Sequence, residues 1–204
     1  MIKKVLYISY DGMTDPLGQS QVIPYLKGLS KMGYRFCLVS AEKKVKFIQK
    51  GAAIQKELSE NNIEWHPVHY SNNLPGISAF LTYNRLLKKA WQLQREEAFH
   101  IVHCRSYIPS LIGLQMKRKH GVKFIFDMRG FWADERVEGG IWNLSNPLYR
   151  KAYHFFKKKE KEFLQESDAI VSLTTSGSNE IIARRDLQSI SKKINVIPCC
   201  ADQD

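Results

Sequence analysis

Asp127, Arg129, Asp134 and Glu135 stand close together in the stretch FIFDMRGFWADE, with Gly130, Phe131 and Trp132 set among them. Carboxylates and a guanidinium at this spacing can orient hydroxyls, hold a phosphate or relay a proton. Phe124, Ile125 and Phe126 form an apolar run suited to a strand buried on both faces, so the charged groups emerge where that strand ends. In an open α/β sheet ligands bind outside the carboxyl ends of the strands. The plainer alternative has Asp127 capping a turn and Arg129 pairing with Asp134 on the surface. The density of functional side-chain types favours a site.

Two further segments belong at the same sheet edge. His103, Arg105 and Ser106 close the apolar run HIVHCRS, where an imidazole and a guanidinium can bind sugar hydroxyls and phosphate oxygens. Alternatively, His103 is a core histidine and Arg105 a structural partner of Asp127. After the first strand comes DGMTDPLGQSQ, in which Gly18, Gln19 and Ser20 at a helix start offer backbone amides to an anion, or form an ordinary polar loop. The GxGxxG fingerprint and the Walker lysine are both missing, which disfavours a dehydrogenase or a nucleoside triphosphatase.

Strand patterns fall at Lys4–Tyr10, Arg35–Ala41, Glu64–Tyr70, Ile101–Cys104, Lys123–Asp127, Ala169–Leu173 and Ile194–Ile197. Helical patterns alternate with them at Val22–Met32, Val45–Glu60, Ile77–Glu97, Pro109–His120, Pro147–Glu166 and Ser178–Arg185. Such alternation predicts an α/β fold, a Rossmann-like three-layer sandwich around a mostly parallel sheet of about seven strands. Asn146 followed by Pro147 reads as a helix start, Gly33 and Gly121 read as left-handed caps, and Pro24 places the first helix start near Gln21.

With 204 residues, 44% of them hydrophobic, the chain is sized for one domain spanning residues 1–204. A net charge of +11 calls for an anionic partner: nucleic acid, anionic lipid or a phosphorylated substrate. Compact nucleic-acid signatures are missing, which counts against nucleic acid without excluding it. No apolar run reaches the roughly 20 residues of a membrane span, and MIKKVLYISY is too short for a secretory signal, so the chain is expected in the cytoplasm. The helical segment holding Phe80, Arg85, Lys88, Lys89 and Trp91, and the run RKAYHFFKKKEK from Arg150 to Lys161, can lie on an anionic bilayer or simply cover the sheet. Cys37, Cys104, Cys199 and Cys200 lack zinc-ligand spacing and are expected to be reduced and structural, with no metal bound.

These residues resemble the N-terminal domain of retaining GT-B glycosyltransferases of the large family-four group, over essentially the whole chain. FDMRGFWADERVEGG carries the most specific part of the likeness, followed by a long helix and DAIVSLTTSGSNEI. INVIPCCAD resembles the exit strand of that family, with Pro198 and Asp202 kept and Cys199 and Cys200 where Asn and Gly are usual. In the loop after the first strand Gly18 is retained and Gln19 replaces a second glycine; after the fourth strand His103 stands at the first of two histidine positions and Arg105 at the second.

The resemblance implies that these residues form the acceptor-binding half of an enzyme, with the nucleotide-sugar-binding half in a second domain beyond residue 204. Alone, the chain would be an inactive part of a hexosyltransferase. The implied site comprises Asp127, Arg129, Arg105 and His103 at the reacting centre, Gly18, Gln19 and Ser20 near the donor phosphate, and Asp134, Glu135 and Trp132 toward the acceptor. Its partners would be a nucleotide-sugar donor, acting as co-substrate without a further cofactor, and a glycan or lipid-phosphate acceptor used in cell-surface polysaccharide synthesis at the inner membrane face. Two rivals stay open: half of a sugar-nucleotide epimerase, and a non-catalytic basic module binding RNA or a membrane surface.

Overall fold

The computed structural model describes residues 4–72 and 76–199, and at Arg185 the backbone alone. Among the described residues, seven strands form one sheet: β1 (Lys4–Ser9), β2 (Arg35–Glu42), β3 (Ile63–His69), β4 (Ile101–Arg105), β5 (Lys123–Asp127), β6 (Ala169–Ser172) and β7 (Ile194–Val196). Every pairing is parallel, in the order β3-β2-β1-β4-β5-β6-β7. The order reverses between β1 and β4, which opens a crevice at their carboxyl ends.

Among the described residues, seven α-helices connect the strands: α1 (Ile23–Lys31), α2 (Lys44–Glu60), α3 (Ile77–Glu97), α4 (Tyr107–His120), α5 (Trp132–Glu138), α6 (Pro147–Glu166) and α7 (Thr175–Ala183). The apolar strands are buried from both sides. Along β1, Val5 and Tyr7 face the core beneath α1 and α2, while Leu6 and Ile8 face the core beneath α3, α4, α6 and α7. Phe124, Phe126 and Phe163 meet in the second core, with ring centroids 6.3 and 5.2 Å from Phe163. This is the three-layer, Rossmann-like α/β architecture expected, with every strand falling within two residues of its predicted bounds.

The elements depart from those expected in four places. Pro24 stands in the first turn of α1, as expected, but helical structure does not start near Gln21: Pro16 and Leu17 are already helical and a π-helical turn, Gly18–Val22, leads into α1. The wider turn makes room for a proline ring that would collide with the carbonyl four residues back in a regular helix. Trp132–Glu138, expected as loop, is the short helix α5, and a 3-10 helix, Arg185–Lys193, precedes β7. The helix expected at Pro109 starts at Tyr107. Asn146 caps α6 as predicted, accepting from the Leu148 amide at 2.9 Å. Cys200 and Asp202 lie outside the described residues. Among the described residues, no helix is long and apolar enough to cross a membrane.

Candidate active site

The carboxyl ends of β1, β4 and β5 lie in register, Ser9 beside Arg105 and Arg105 beside Asp127. Arg105, Tyr10 and Asp11 just beyond β1, the π-helical turn and the segment after β5 line a cleft of about 470 Å³. Arg105 is buried at its floor, donating from Nε to Asp11 at 3.3 Å and from Nη2 to Gln21 at 2.6 Å. Burial alone would lower the Arg105 pKa, but Tyr7, Asp127 and Asp11 carry it above its ordinary value. The charge on Arg105 is therefore permanent.

Arg129 approaches from the β5 side. It donates through Nη2 to the same Gln21 oxygen, at 2.8 Å, and lies 2.6 Å from Cys199 Sγ. Its φ of +62° is a left-handed conformation costing about 1 kcal/mol or more for a residue with a Cβ, and Ser106, also lining the cleft, has a φ of +67°. Strain at two cleft positions is held in place by hydrogen bonding, including the Ser106 amide to the Asp127 carbonyl at 2.7 Å.

Asp127 is buried amid three nitrogen bases without a side-chain hydrogen bond to any. His103 Nε2 and Arg129 Nη1 each lie 3.7 Å from its carboxylate, Arg105 Nη1 lies 3.9 Å away, and both Asp127 Oδ1 and His103 Nε2 are unpartnered among the described residues. The His103 ring packs on Tyr7, centroids 4.6 Å apart, and edge-on to Tyr25. Burial, followed by the Asp127 charge, raises the pKa of both tyrosines, so their hydroxyls stay protonated. His103 is thus a core histidine that also contacts Asp127, and Arg105 partners Asp127, Asp11 and Gln21 together.

The three residues of the first loop act mainly on their own backbone. Gly18 is buried, and a Cβ there would come within 2.3 Å of the Gly12 carbonyl oxygen, so only glycine allows the close approach. Because helical structure begins at Pro16, the Gln19 amide donates to the Asp15 carbonyl instead of standing free. Gln19 Nε2 donates to the Thr14 carbonyl and Ser20 Oγ to the Pro16 carbonyl. Ser20 also lines a smaller pocket of about 190 Å³ with Tyr7, Asp127 and Arg129.

Beneath that loop lies Glu42, a residue the sequence did not single out. Its buried carboxylate accepts from the Met13 amide at 2.6 Å, the Thr14 amide at 3.1 Å, and the Thr14 and Ser40 hydroxyls at 2.6 Å each. Glu42 thereby fixes the loop that carries Gln21 toward the arginines. Asp15, at the rim, is bridged by Lys43 and Lys46; burial would raise its pKa, but the two ammonium groups hold it below the usual range.

The proposed acceptor trio separates. Trp132 lines the cleft and stacks on Tyr107 at 5.7 Å. Asp134 turns away, accepting from Tyr153 at 2.8 Å and Lys157 at 2.7 Å, because α5 points that position toward α6. Glu135 folds over Gly130 and lines a neighbouring pocket of about 320 Å³ with Ser172, Thr174 and Glu180. Arg136, unremarked in the sequence, lies on the cleft wall over the Trp132 ring at 4.1 Å. Burial lowers its pKa, and its Nε has no partner among the described residues. Cys199, expected to be structural, is exposed on the cleft wall. Arg105, Arg129, Arg136 and Lys43 outnumber the cleft carboxylates Asp11 and Asp15, so the cavity suits an anionic or polyhydroxyl ligand.

The sequence profile of Glycosyltransferase Family 4 matches residues 21–204. No curated protein matches. Among solved structures, the chain is similar to sucrose-phosphate synthase from Thermosynechococcus elongatus, with a TM-score of 0.62 at 11% identity, covering 98% of this chain and 49% of that one. CalG4, the calicheamicin glycosyltransferase, superposes with a TM-score of 0.59 at 7% identity, covering 97% of this chain and 53% of that chain. Anabaena HepE in complex with UDP-glucose gives 0.53 at 11%, covering 98% and 44%. The chain spans about half the length of these solved proteins. With the match across residues 21–204 and an all-parallel sheet shared with GT-B glycosyltransferases, the chain belongs to Glycosyltransferase Family 4 and has the GT-B N-terminal domain fold.

Proposed function

We propose that this chain is the acceptor-binding half of a glycosyltransferase, moving a hexose from a nucleotide-sugar donor to a glycan or lipid-linked acceptor that carries phosphate. The observation supporting this reading is the sharing of Gln21 Oε1 by Arg105 and Arg129, beside the unpartnered Nε of Arg136, in one open cleft. Three guanidinium groups so held present N–H donors to phosphate oxygens without having to reorganise. In the transfer step the acceptor hydroxyl oxygen bonds to the anomeric carbon as the bond from that carbon to the donor phosphate breaks. The acceptor proton passes to the leaving phosphate, whose charge Arg105 and Arg129 balance. Asp127 acts from below by holding both arginines in place. A second domain supplies most of the donor contacts, in keeping with solved proteins about twice this length.

Helices α3 and α6 bury Leu86, Ala90, Phe163 and Leu164 in the core but leave Phe80 and Phe155 exposed; the start of α2, beside the cleft, is the second basic and apolar surface and the one nearest the site. Leu17, Val45 and Ile48 are 48, 67 and 72% exposed, among Lys43, Lys44, Lys46 and Lys50 at the start of α2. No acidic residue occupies the first turn of α2, and cations there oppose the helix dipole by about 0.3–1 kcal/mol each. A basic, apolar rim beside the cleft suits the anionic bilayer from which a lipid-linked acceptor would be drawn, in cell-surface polysaccharide synthesis at the cytoplasmic membrane face.

Assays of the full-length gene product with nucleotide sugars, beside residues 1–204 alone, test the reading. Transfer is expected from the full-length protein alone, falling about tenfold or more in Arg129→Ala. Undiminished transfer by that variant, or transfer by residues 1–204, would overturn it.

A further inference from the structure

At the opposite, amino-terminal edge of the sheet, β2, β3 and the end of α3 bring together four metal-ligating side chains that the cleft does not use. Cys37 and Glu64 are register partners on adjacent strands, and His66 follows Glu64 on the same face. Glu97, the last residue of α3, reaches Cys37. Cys37 Sγ lies 3.6 Å from Glu64 Oε2 and 3.7 Å from Glu97 Oε1, and His66 Nε2 lies 3.0 Å from Glu64 Oε1. Ligand atoms of Cys37, Glu64 and His66 all fall within 4.8 Å of one another.

We propose that Cys37, Glu64 and His66 form a binding site for a zinc-type divalent cation, with Glu97 closing in from Cys37 as the fourth ligand and so tying the end of α3 to β2 and β3. The two Cys37 separations are close to the edges of a zinc tetrahedron, in which bonds of about 2.3 Å to sulfur and 2.0–2.2 Å to nitrogen and oxygen imply ligand-to-ligand distances of about 3.3–3.6 Å; His66 approaches the other Glu64 oxygen, so a bound ion would draw the ligand atoms, now within 4.8 Å of one another, slightly together. One thiol hydrogen cannot satisfy two carboxylates at once. His66 Nε2 is likewise buried with no hydrogen-bond partner among the described residues, despite its closeness to Glu64. A cation at the centre answers both deficits.

Nearby charges fit the same assignment. Lys4 holds the outer oxygen of Glu97 at 3.1 Å, and Arg35 reaches Glu64 at 3.4 Å, offsetting the negative charge of a thiolate and two carboxylates. Binding must displace the Cys37 proton: the S–H bond breaks, sulfur bonds to the metal and the proton leaves to solvent. The His66 side chain, 21% accessible although its Nε2 is buried, gives the ion a way in. Ligands contributed by three elements leave no compact Cys/His spacing in the sequence.

The metal-stripped chain should be titrated with Zn²⁺ and, separately, with Co²⁺, following stoichiometry, proton release and absorbance. Expected are one equivalent bound, release of a proton, a rise in Tm of a few degrees or more, and a thiolate-to-cobalt charge-transfer band. Cys37→Ser should lose the band; His66→Ala, at a partly exposed position, should keep its far-ultraviolet circular dichroism and bind at least tenfold more weakly. No stoichiometric uptake, or uptake undiminished in both variants, would overturn the assignment. Glycosyl transfer enters none of these readouts.

Discussion

Asp127 and Arg129 are two residues apart, yet their charged groups face each other across 3.7 Å without a hydrogen bond, while Arg129 spends a donor on Gln21. The carboxylate holds the guanidinium by charge and leaves its remaining N–H groups to the cleft.

Arg129→Gly separates the two costs at this position. It removes the guanidinium and also relieves a left-handed φ, a gain of about 1 kcal/mol set against the lost Gln21 contact. Transfer by the full-length protein should drop about tenfold or more while Tm holds within about 2 °C. A collapse in Tm would make Arg129 a structural residue first.

Glu42→Gln should loosen the loop carrying Gln21, because the amide retains one oxygen for four donors that now converge on two carboxylate oxygens. Leaving buried donors unpaired costs about 2–4 kcal/mol here, readable as a lower urea midpoint. Stability equal to wild type would show that the loop is held by other contacts.

Asp168 links stability to acid. Burial would raise its pKa, but Lys117, the Phe124 amide and Lys123 bring it from 3.8 to about 2. A depressed folded-state pKa means the stabilisation is complete above the unfolded value near 3.8 and disappears as pH falls toward 2. Urea unfolding between these limits should show wild type losing stability more steeply than Asp168→Asn; parallel curves would remove Asp168 from the acid response.

Lys44→Glu with Lys50→Glu should release the chain from vesicles containing anionic lipid, and Val45→Ser with Ile48→Ser should weaken what high salt leaves. Flotation with anionic and neutral vesicles reads both. Equal recovery of wild type and the charge-reversed variant would move membrane contact elsewhere, and binding to single-stranded RNA with a steep salt slope would favour a nucleic-acid partner.

Much was legible along the chain because it depended on short-range patterning. Apolar runs such as Phe124–Phe126 have nowhere to go but a doubly covered strand, and strict alternation with amphipathic helices forces parallel pairing through crossovers. The end of β5 could accordingly be recognised as the place where Asp127 and Arg129 emerge. Seven-residue α5 carries too few periodic positions to be told from a loop, and so the direction of Asp134 toward Lys157 was hidden.

By itself the sequence determined the sheet, its parallel sense and which strand ends carry the charged groups, since each follows from hydrophobic periodicity over a few residues. Only the tertiary structure decided which side chains meet. Gln21 is 84 positions from Arg105 and 108 from Arg129, Glu42 reaches back to Met13 across 29, and Cys37 meets Glu97 across 60. Contacts of that separation are set by strand register and by a π-helical turn squeezed between Gly12 and Pro24, which no local pattern encodes.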